Sequence, residues 1–337
     1  MKRAGNLYPQ IADFEALHGA YRRAFRGANR TEETLRFCFN AEGELLRLRD
    51  ELVARTYQPG PYRYFQVHVP KERTIAVAPF RDRVVHHAVF AVLEPIYEKI
   101  FIHDSYATRK EKGAHRAIRR AQDFMKRNGW YLKADIAKYF DSVDHGVVMA
   151  IMSRKIKDRD VLALMERIIR NGGYDGRGLP IGNLTSQFLA NVYLDPFDHY
   201  VKEVLKEKCY IRYMDDFVVF GNERAHLKAL REKLAEFLEE KLKLRFKEKA
   251  VMINQRGHGL GFLGARIFPG LIRIRRENLA RCIRKVRQRE DEYERGKLSE
   301  TELKQSLTSI AGYLEFFDTC LLRQALFQGW ASRARTA

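Results

Sequence analysis

The chain has 337 residues, 45% of them hydrophobic, which is enough for two or three packed subdomains. Its 62 Lys and Arg against 43 Asp and Glu give a formal net charge of +19, an excess carried on a folded surface and not on a disordered basic tail. Such a field favours a polyanionic partner, with a membrane surface as the competitor, and no apolar run reaches the roughly 18 residues needed to span a bilayer.

Met1-Lys-Arg-Ala-Gly-Asn-Leu-Tyr-Pro9 lacks the apolar core of a signal peptide. Cys38, Cys209, Cys282 and Cys320 are far apart and show no metal-ligand spacing, so reduced thiols in a cytoplasmic protein are expected. Residues 10–55 read as helical: Ile11, Phe14, Leu17, Tyr21 and Phe25 recur at three- and four-residue steps, and Leu35 to Leu52 continue the pattern before Pro59-Gly60-Pro61 stops it. Two alternating segments, 62–69 and 73–77, form a predicted ribbon whose tip carries Lys71 and Arg73, side chains suited to phosphate. A helix then opens at Arg81-Asp-Arg83 and runs to Tyr97. Its His86 and His87 have no second cluster at ligand spacing, so they read as packing or nucleic-acid contacts.

A polar basic loop, 105–113, leads into a helix over 114–126 with Arg116, Arg119 and Arg120 on one face. In Trp130-Tyr-Leu-Lys-Ala-Asp135-Ile-Ala-Lys-Tyr-Phe140, Trp130, Leu132, Ala134 and Ile136 alternate onto one side of a strand, which leaves Asp135 aimed away from that apolar layer. Residues 144–170 are helical and end in a glycine-rich loop, 171–178. Leu179-Pro-Ile-Gly-Asn-Leu-Thr-Ser-Gln187 follows, with Gly182 permitting close backbone approach and a helix start near Thr185 offering N–H groups to anions.

Cys209-Tyr-Ile-Arg-Tyr-Met-Asp-Asp-Phe-Val-Val-Phe-Gly221 sets Asp215 and Asp216 between two apolar, β-prone runs, the pattern of a hairpin carrying carboxylates at its turn. Adjacent acids in so apolar a segment are costly without a positive partner, and a divalent cation is the usual one. A helix over 225–241, a strand over 242–246, a hairpin through 257–268 and a basic helical unit over the last 65 or so residues complete the chain. Ser299-Glu-Thr-Glu302 there reads as a capping box.

One strand-end acid, two acids on a neighbouring hairpin and a basic shell describe a two-metal phosphoryl-transfer site, in which cations relieve the repulsion among carboxylates. The fold class expected is α+β, a palm of antiparallel sheet with helices on one face. This reading of the residues stops at nucleotidyl or phosphoryl transfer.

Tyr213-Met-Asp-Asp216, Asp135 with Phe140 five residues on, the Lys71/Arg73 ribbon, the Gly182/Ser186 segment, Lys249 and Gly261-Phe-Leu-Gly264 together resemble, in order, the motifs of reverse transcriptases. The resemblance implies a right-hand polymerase: an N-terminal helical extension (1–60), fingers and palm (61–270) and a helical basic thumb (271–337). It further implies two Mg²⁺ ions, with Mn²⁺ as a substitute, at Asp135, Ile136, Asp215 and Asp216. Lys71 and Arg73 would hold the incoming triphosphate. Phe140 would gate the sugar, and Ile181, Gly182 and Gln187 would adjoin the nascent pair. Lys249 would stand near the pyrophosphate as a proton donor. Gly261, Phe262, Leu263 and Gly264 would grip the primer, and Arg281, Arg284 and Lys285 would face the duplex. The implied partners are template RNA, a DNA or RNA primer and dNTPs, with no membrane.

Most reverse transcriptases carry Gln where Ile181 stands and Pro where Gln187 stands. The pattern here resembles the enzymes of diversity-generating retroelements, which make adenine-mutagenised cDNA from a template-repeat RNA with a small basic pentameric accessory protein, in a bacterium or phage. The compact length, with no maturase or endonuclease extension, agrees with that expectation. The alternatives are a group II intron-like or defence-associated reverse transcriptase and, from another class, a non-catalytic RNA-binding scaffold. A scaffold would be expected to have lost one of the three acids, and all are present.

Overall fold

A computed structural model describes residues 3–68 and 72–333. The chain forms two compact units, each assembled from several stretches of sequence. The first takes the N-terminal stretch up to Lys110, Ala134–Phe217 and Ala229–Val251; the second takes Glu111–Lys133, Val218–Lys228 and the C-terminal stretch from Met252.

The first unit opens with four helices, α1 (Tyr8–Ala12), α2 (Phe14–Arg26), α3 (Glu32–Phe39) and α4 (Ala41–Val53). Asp13 caps α2 by accepting from Ala16 N at 3.0 Å, and Leu17, Ala20 and Ala24 are its buried stripe. The expected ribbon is β1 (Arg63–Val67) paired antiparallel with β2 (Arg73–Val77). Helix α5 (Phe80–Glu98) follows, and its buried Asp82 accepts from Tyr57 Oη (2.8 Å) and Gly60 N (2.7 Å). That carboxylate ties the turn around Gly60 to the helix and satisfies groups that would otherwise be buried without partners.

In the second unit, α6 (Ala114–Arg127) buries Ala117, Ile118, Ala121, Phe124 and Met125 on one face. The strand β3 (Trp130–Asp135) is followed by α7 (Tyr139–Ser142), α8 (His145–Ser153), α9 (Arg159–Gly172) and α10 (Leu184–His199) in the first unit. Next come β4 (Tyr210–Tyr213) and β5 (Asp216–Gly221), then α11 (Arg224–Leu242) and β6 (Met252–Gln255). The four strands form one sheet of order β4-β5-β3-β6, with Trp130 opposite Gln255 in the antiparallel β3–β6 pair. Here β6 takes the place of the strand expected over 242–246, which contributes only a single bridge from Phe246 to Ile136.

The second unit also holds a three-stranded meander of β7 (Leu260–Phe262), β8 (Ala265–Phe268) and β9 (Leu271–Ile274). Leu263 (φ 48°) and Gly264 (φ 81°) make its first turn, the left-handed pair of a type I′ hairpin. The helices α12 (Arg276–Glu294), α13 (Glu300–Glu315) and α14 (Cys320–Arg333) close the chain. Val286, Leu303, Leu307, Ile310 and Leu314 form their core, and the Ser299–Glu302 capping box is present as expected. The four cysteines are free thiols, and no helix among the described residues is long and apolar enough to cross a membrane.

Burial pushes His86 down to about 3, aided by His87 and Arg83, and pushes His87 down to about 4, aided by Arg23 and Arg83, both from an ordinary 6.5. Below pH 6.5 the unfolded chain therefore binds more protons at these positions than the folded one, and stability drains away as pH falls toward 4. Thermal unfolding of wild type against His86→Leu isolates this from acids titrating in the same range. The wild-type midpoint is expected to drop more steeply below pH 6.5, and parallel pH profiles would rule the assignment out.

Candidate active site

The turn between β4 and β5 is two residues, Met214 and Asp215, and Met214 adopts φ 54°, a left-handed conformation uncommon for a side chain of its size. Lys138, three residues after Asp135, is also left-handed at φ 43°. Backbone held in this way marks positions that the surrounding structure over-determines.

What holds the turn is Arg212. Its side chain is fully buried, and so is that of Asp198 on α10, which it engages through Nε (2.7 Å) and NH2 (2.6 Å). The guanidinium also donates to Asn191 Oδ1 (3.1 Å), to Ser105 Oγ (3.1 Å) and to the Met214 carbonyl (3.0 Å). Tyr210 donates to the same Asp198 carboxylate at 2.6 Å. Burial alone would lower the pKa of Arg212, but Asp198 outweighs it and holds the group charged. The arginine inside the Tyr-Ile-Arg-Tyr run thus fastens a strand, a helix and a turn. Sequence reasoning passed over it, although a cation inside an apolar strand was the available signal.

The turn delivers Asp215 to Asp135. Burial, and then the charge of Asp135, push the Asp215 carboxyl up to about 6; a hydrogen bond between the two acids adds to the rise, and Arg73 opposes it. The structure therefore brings Asp135 and Arg73 within electrostatic reach of Asp215. Asp216 lies one residue further along the hairpin. It is the first residue of β5, where successive side chains take opposite faces, and one of its carboxylate oxygens is enclosed. Among the described residues no group of three or more His, Cys, Asp or Glu side chains is disposed to hold a metal ion. Two repelling, half-buried carboxylates nevertheless fit a divalent cation, which relieves the repulsion between them.

Other expected residues fall as follows. Lys71 lies outside the described residues. Phe140 is half-buried in α7, edge-on to Tyr139, and its carbonyl accepts from Leu179 N at 2.8 Å. The Ile181 carbonyl accepts from Ala76 N at 2.8 Å, and a Cβ on Gly182 (φ 113°) would stand 2.8 Å from Ile75 Cγ2. Glycine is thus required at 182 for close packing on β2, in addition to any approach of a ligand. Gln187 is half-buried in the first turn of α10. Lys249 is exposed in the short helical turn Glu248–Ala250, and Lys247 meets Asp135: its Nζ is 3.8 Å from Oδ2 and its backbone N donates to the Asp135 carbonyl at 2.8 Å. Ile136 is buried and bridges to Phe246.

In the second unit Phe262 is fully buried, and the Gly261 carbonyl accepts from Lys133 Nζ at 2.9 Å. The Gly264 carbonyl accepts from Arg275 N (3.1 Å) and Asn278 Nδ2 (3.2 Å), which fixes the 261–264 turn to the start of α12. Arg281, Arg284 and Lys285 are exposed on α12.

Residues 67–267 match the family model described as reverse transcriptase (RNA-dependent DNA polymerase). Protein YkfC of Escherichia coli (strain K12) is 31% identical over 297 residues, covering 74% of this chain and 76% of YkfC. Group II intron-encoded protein LtrA of Lactococcus lactis subsp. cremoris is 23% identical over 321 residues, covering 74% of this chain; the chain spans only 53% of LtrA. Among solved structures, telomerase from Candida albicans in complex with a fragment of telomeric RNA aligns with a TM-score of 0.50 at 10% identity, covering 82% of this chain and 55% of that one, a likeness of fold.

Proposed function

The chain belongs to the reverse transcriptase family, and from that membership we propose that it is an RNA-directed DNA polymerase whose reaction centre is the Asp135–Asp215 pair. The observation that carries this reading is the pairing of those two half-buried acids through a side-chain hydrogen bond, within the field of Arg73. Asp135 and Asp215 would hold the divalent ion, with Asp216 adjoining from β5. Such an ion, when bound, supplies neutralisation of charge between an attacking hydroxyl and a triphosphate. Arg73 orients the triphosphate by charge-assisted hydrogen bonds, and Arg212 keeps the turn in register through the Met214 carbonyl. The Gly261–Gly264 turn and the exposed Arg281, Arg284 and Lys285 would serve primer and duplex. The test is primer extension on an RNA template with dNTPs: incorporation that EDTA abolishes and Mg²⁺ restores is expected, and a chain inert on every template would refute the reading.

For the biological template, the intron-type reading is favoured, because LtrA is a group II intron-encoded protein and its match covers 74% of this chain. This reverses the ordering expected from the Ile181–Gln187 pattern. A second reading rests on that pattern alone: error-prone copying of the diversity-generating kind, with its pentameric accessory protein as partner. A Gln at 181 could hydrogen-bond the nascent pair and penalise misalignment, whereas Ile cannot, and one such contact is worth about 1 kcal/mol, a several-fold change in discrimination. Ile181→Gln is accordingly expected to lower misincorporation opposite template adenine several-fold in sequenced products. Unchanged error rates would remove the support for this second reading.

A further inference from the structure

The adjacent histidines of α5 have no role in the chemistry above, yet they line a cavity of about 200 Å³ together with Arg83, Gly182, Asn183 and Leu184. His86 is 2% exposed, and its Nε2 has no hydrogen-bond partner among the described residues. A buried ring nitrogen in that position normally finds one. The wall at Asn183 and Leu184 is the N-terminus of α10, a helix of 16 residues. Asn183 stands at its N-cap but directs Nδ2 to the carbonyls of Ala76 (3.1 Å) and Pro180 (3.5 Å) and makes no side-chain cap. The first N–H groups of the helix are therefore left for another acceptor.

Arg83 adds a half-buried guanidinium whose hydrogen bond goes to the Ala24 carbonyl at 3.3 Å. The acid whose charge reaches it, Glu33, is already held by Arg63 NH2 (3.0 Å) and Phe80 N (2.6 Å). Arg23 bears on His87 from α2. Donors and positive charge thus converge on one small space with no committed anion.

We propose that this cavity is a phosphate-binding site, in which a phosphoryl group lies between the Arg83 guanidinium, the Nε2–H of His86 and the uncapped N-terminus of α10. Its tetrahedral oxygens suit a fork of guanidinium donors, one imidazole donor and backbone amides together. The same anion would offset the half-buried positive charge of Arg83. The phosphate comes either from the backbone of a bound strand or from a free phosphate species. Only the strand source rests on the polymerase reading.

Two measurements on the full chain separate these sources. Thermal unfolding in EDTA, with inorganic phosphate replacing chloride at constant ionic strength, is expected to show a saturable rise in midpoint for wild type that Arg83→Gln and His86→Leu lose, with Arg83→Lys recovering part of it. EDTA keeps the Asp135–Asp215 pair out of this measurement, so the result is independent of whether the chain polymerises. Binding of a labelled single-stranded RNA is then followed across salt concentrations. For a strand phosphate, Arg83→Gln weakens binding roughly 5- to 20-fold and reduces the log–log salt slope by about 0.7, the loss of one contact on a single strand. Stabilisation by phosphate with RNA binding unchanged assigns the site to a free phosphate. A wild type indifferent to phosphate, or variants stabilised by it as much as wild type, would overturn the proposal.

Discussion

Asp215→Asn is expected to lower RNA-templated primer extension by roughly 10³-fold or more, on the order of 4 kcal/mol of barrier, while leaving the fold intact. The amide has the same shape as the carboxylate but carries no charge to hold a divalent ion against the triphosphate. The same substitution should stabilise the protein in the absence of metal. Asp215 is pushed up to about 6 by burial and by Asp135, so at neutral pH the wild type holds two ionised carboxylates against each other, and the variant holds one. Three readouts therefore move together: extension collapses, the unfolding midpoint in EDTA rises, and the Mg²⁺-dependent rise in midpoint seen for wild type is lost. Extension that survives in Asp215→Asn would remove the pair from the reaction. Lost activity with an unchanged midpoint in EDTA would contradict the repulsion between Asp135 and Asp215.

Much of this arrangement was legible in the residues because it is local. The alternation in Trp130–Asp135 and Tyr210–Gly221 fixes strands and faces without knowledge of partners, and the capping box at Ser299 needs only four residues. What escaped depends on distant pairing. Leu242–Phe246 has the composition of a strand but finds one bridge, while Met252–Gln255, less conspicuous in sequence, wins the edge beside β3. Preference for strand is decided by the neighbour that is available, not by the segment alone. Likewise, Lys247 meets Asp135 because the backbone of residue 247 is hydrogen-bonded there. The two adjacent acids also take different places, Asp215 in the turn and Asp216 as the first residue of β5.

The other large effect falls on Arg212, which lies outside the reacting groups. Arg212→Met would leave the Asp198 carboxylate fully buried with Tyr210 as its remaining donor among those described, and loss of one partner of such a pair costs about 3–5 kcal/mol. Chemical denaturation should report that loss directly. Arg212→Lys keeps the charge but lacks the fork that reaches Asp198, Asn191, Ser105 and the Met214 carbonyl together, so an intermediate loss is expected. The double variant Arg212→Met/Asp198→Leu removes both charges, and most of the stability should return, because a buried ion pair is worth little against apolar packing of similar volume. Activity should not return with it. The Met214 carbonyl still lacks its donor, the turn loses its clamp, and Asp215 is no longer held toward Asp135, so kcat stays low in a protein that has regained most of its stability. A double variant that regains both stability and kcat would reduce Arg212 to a structural partner of Asp198; one that regains stability alone makes it the residue that aims the carboxylate.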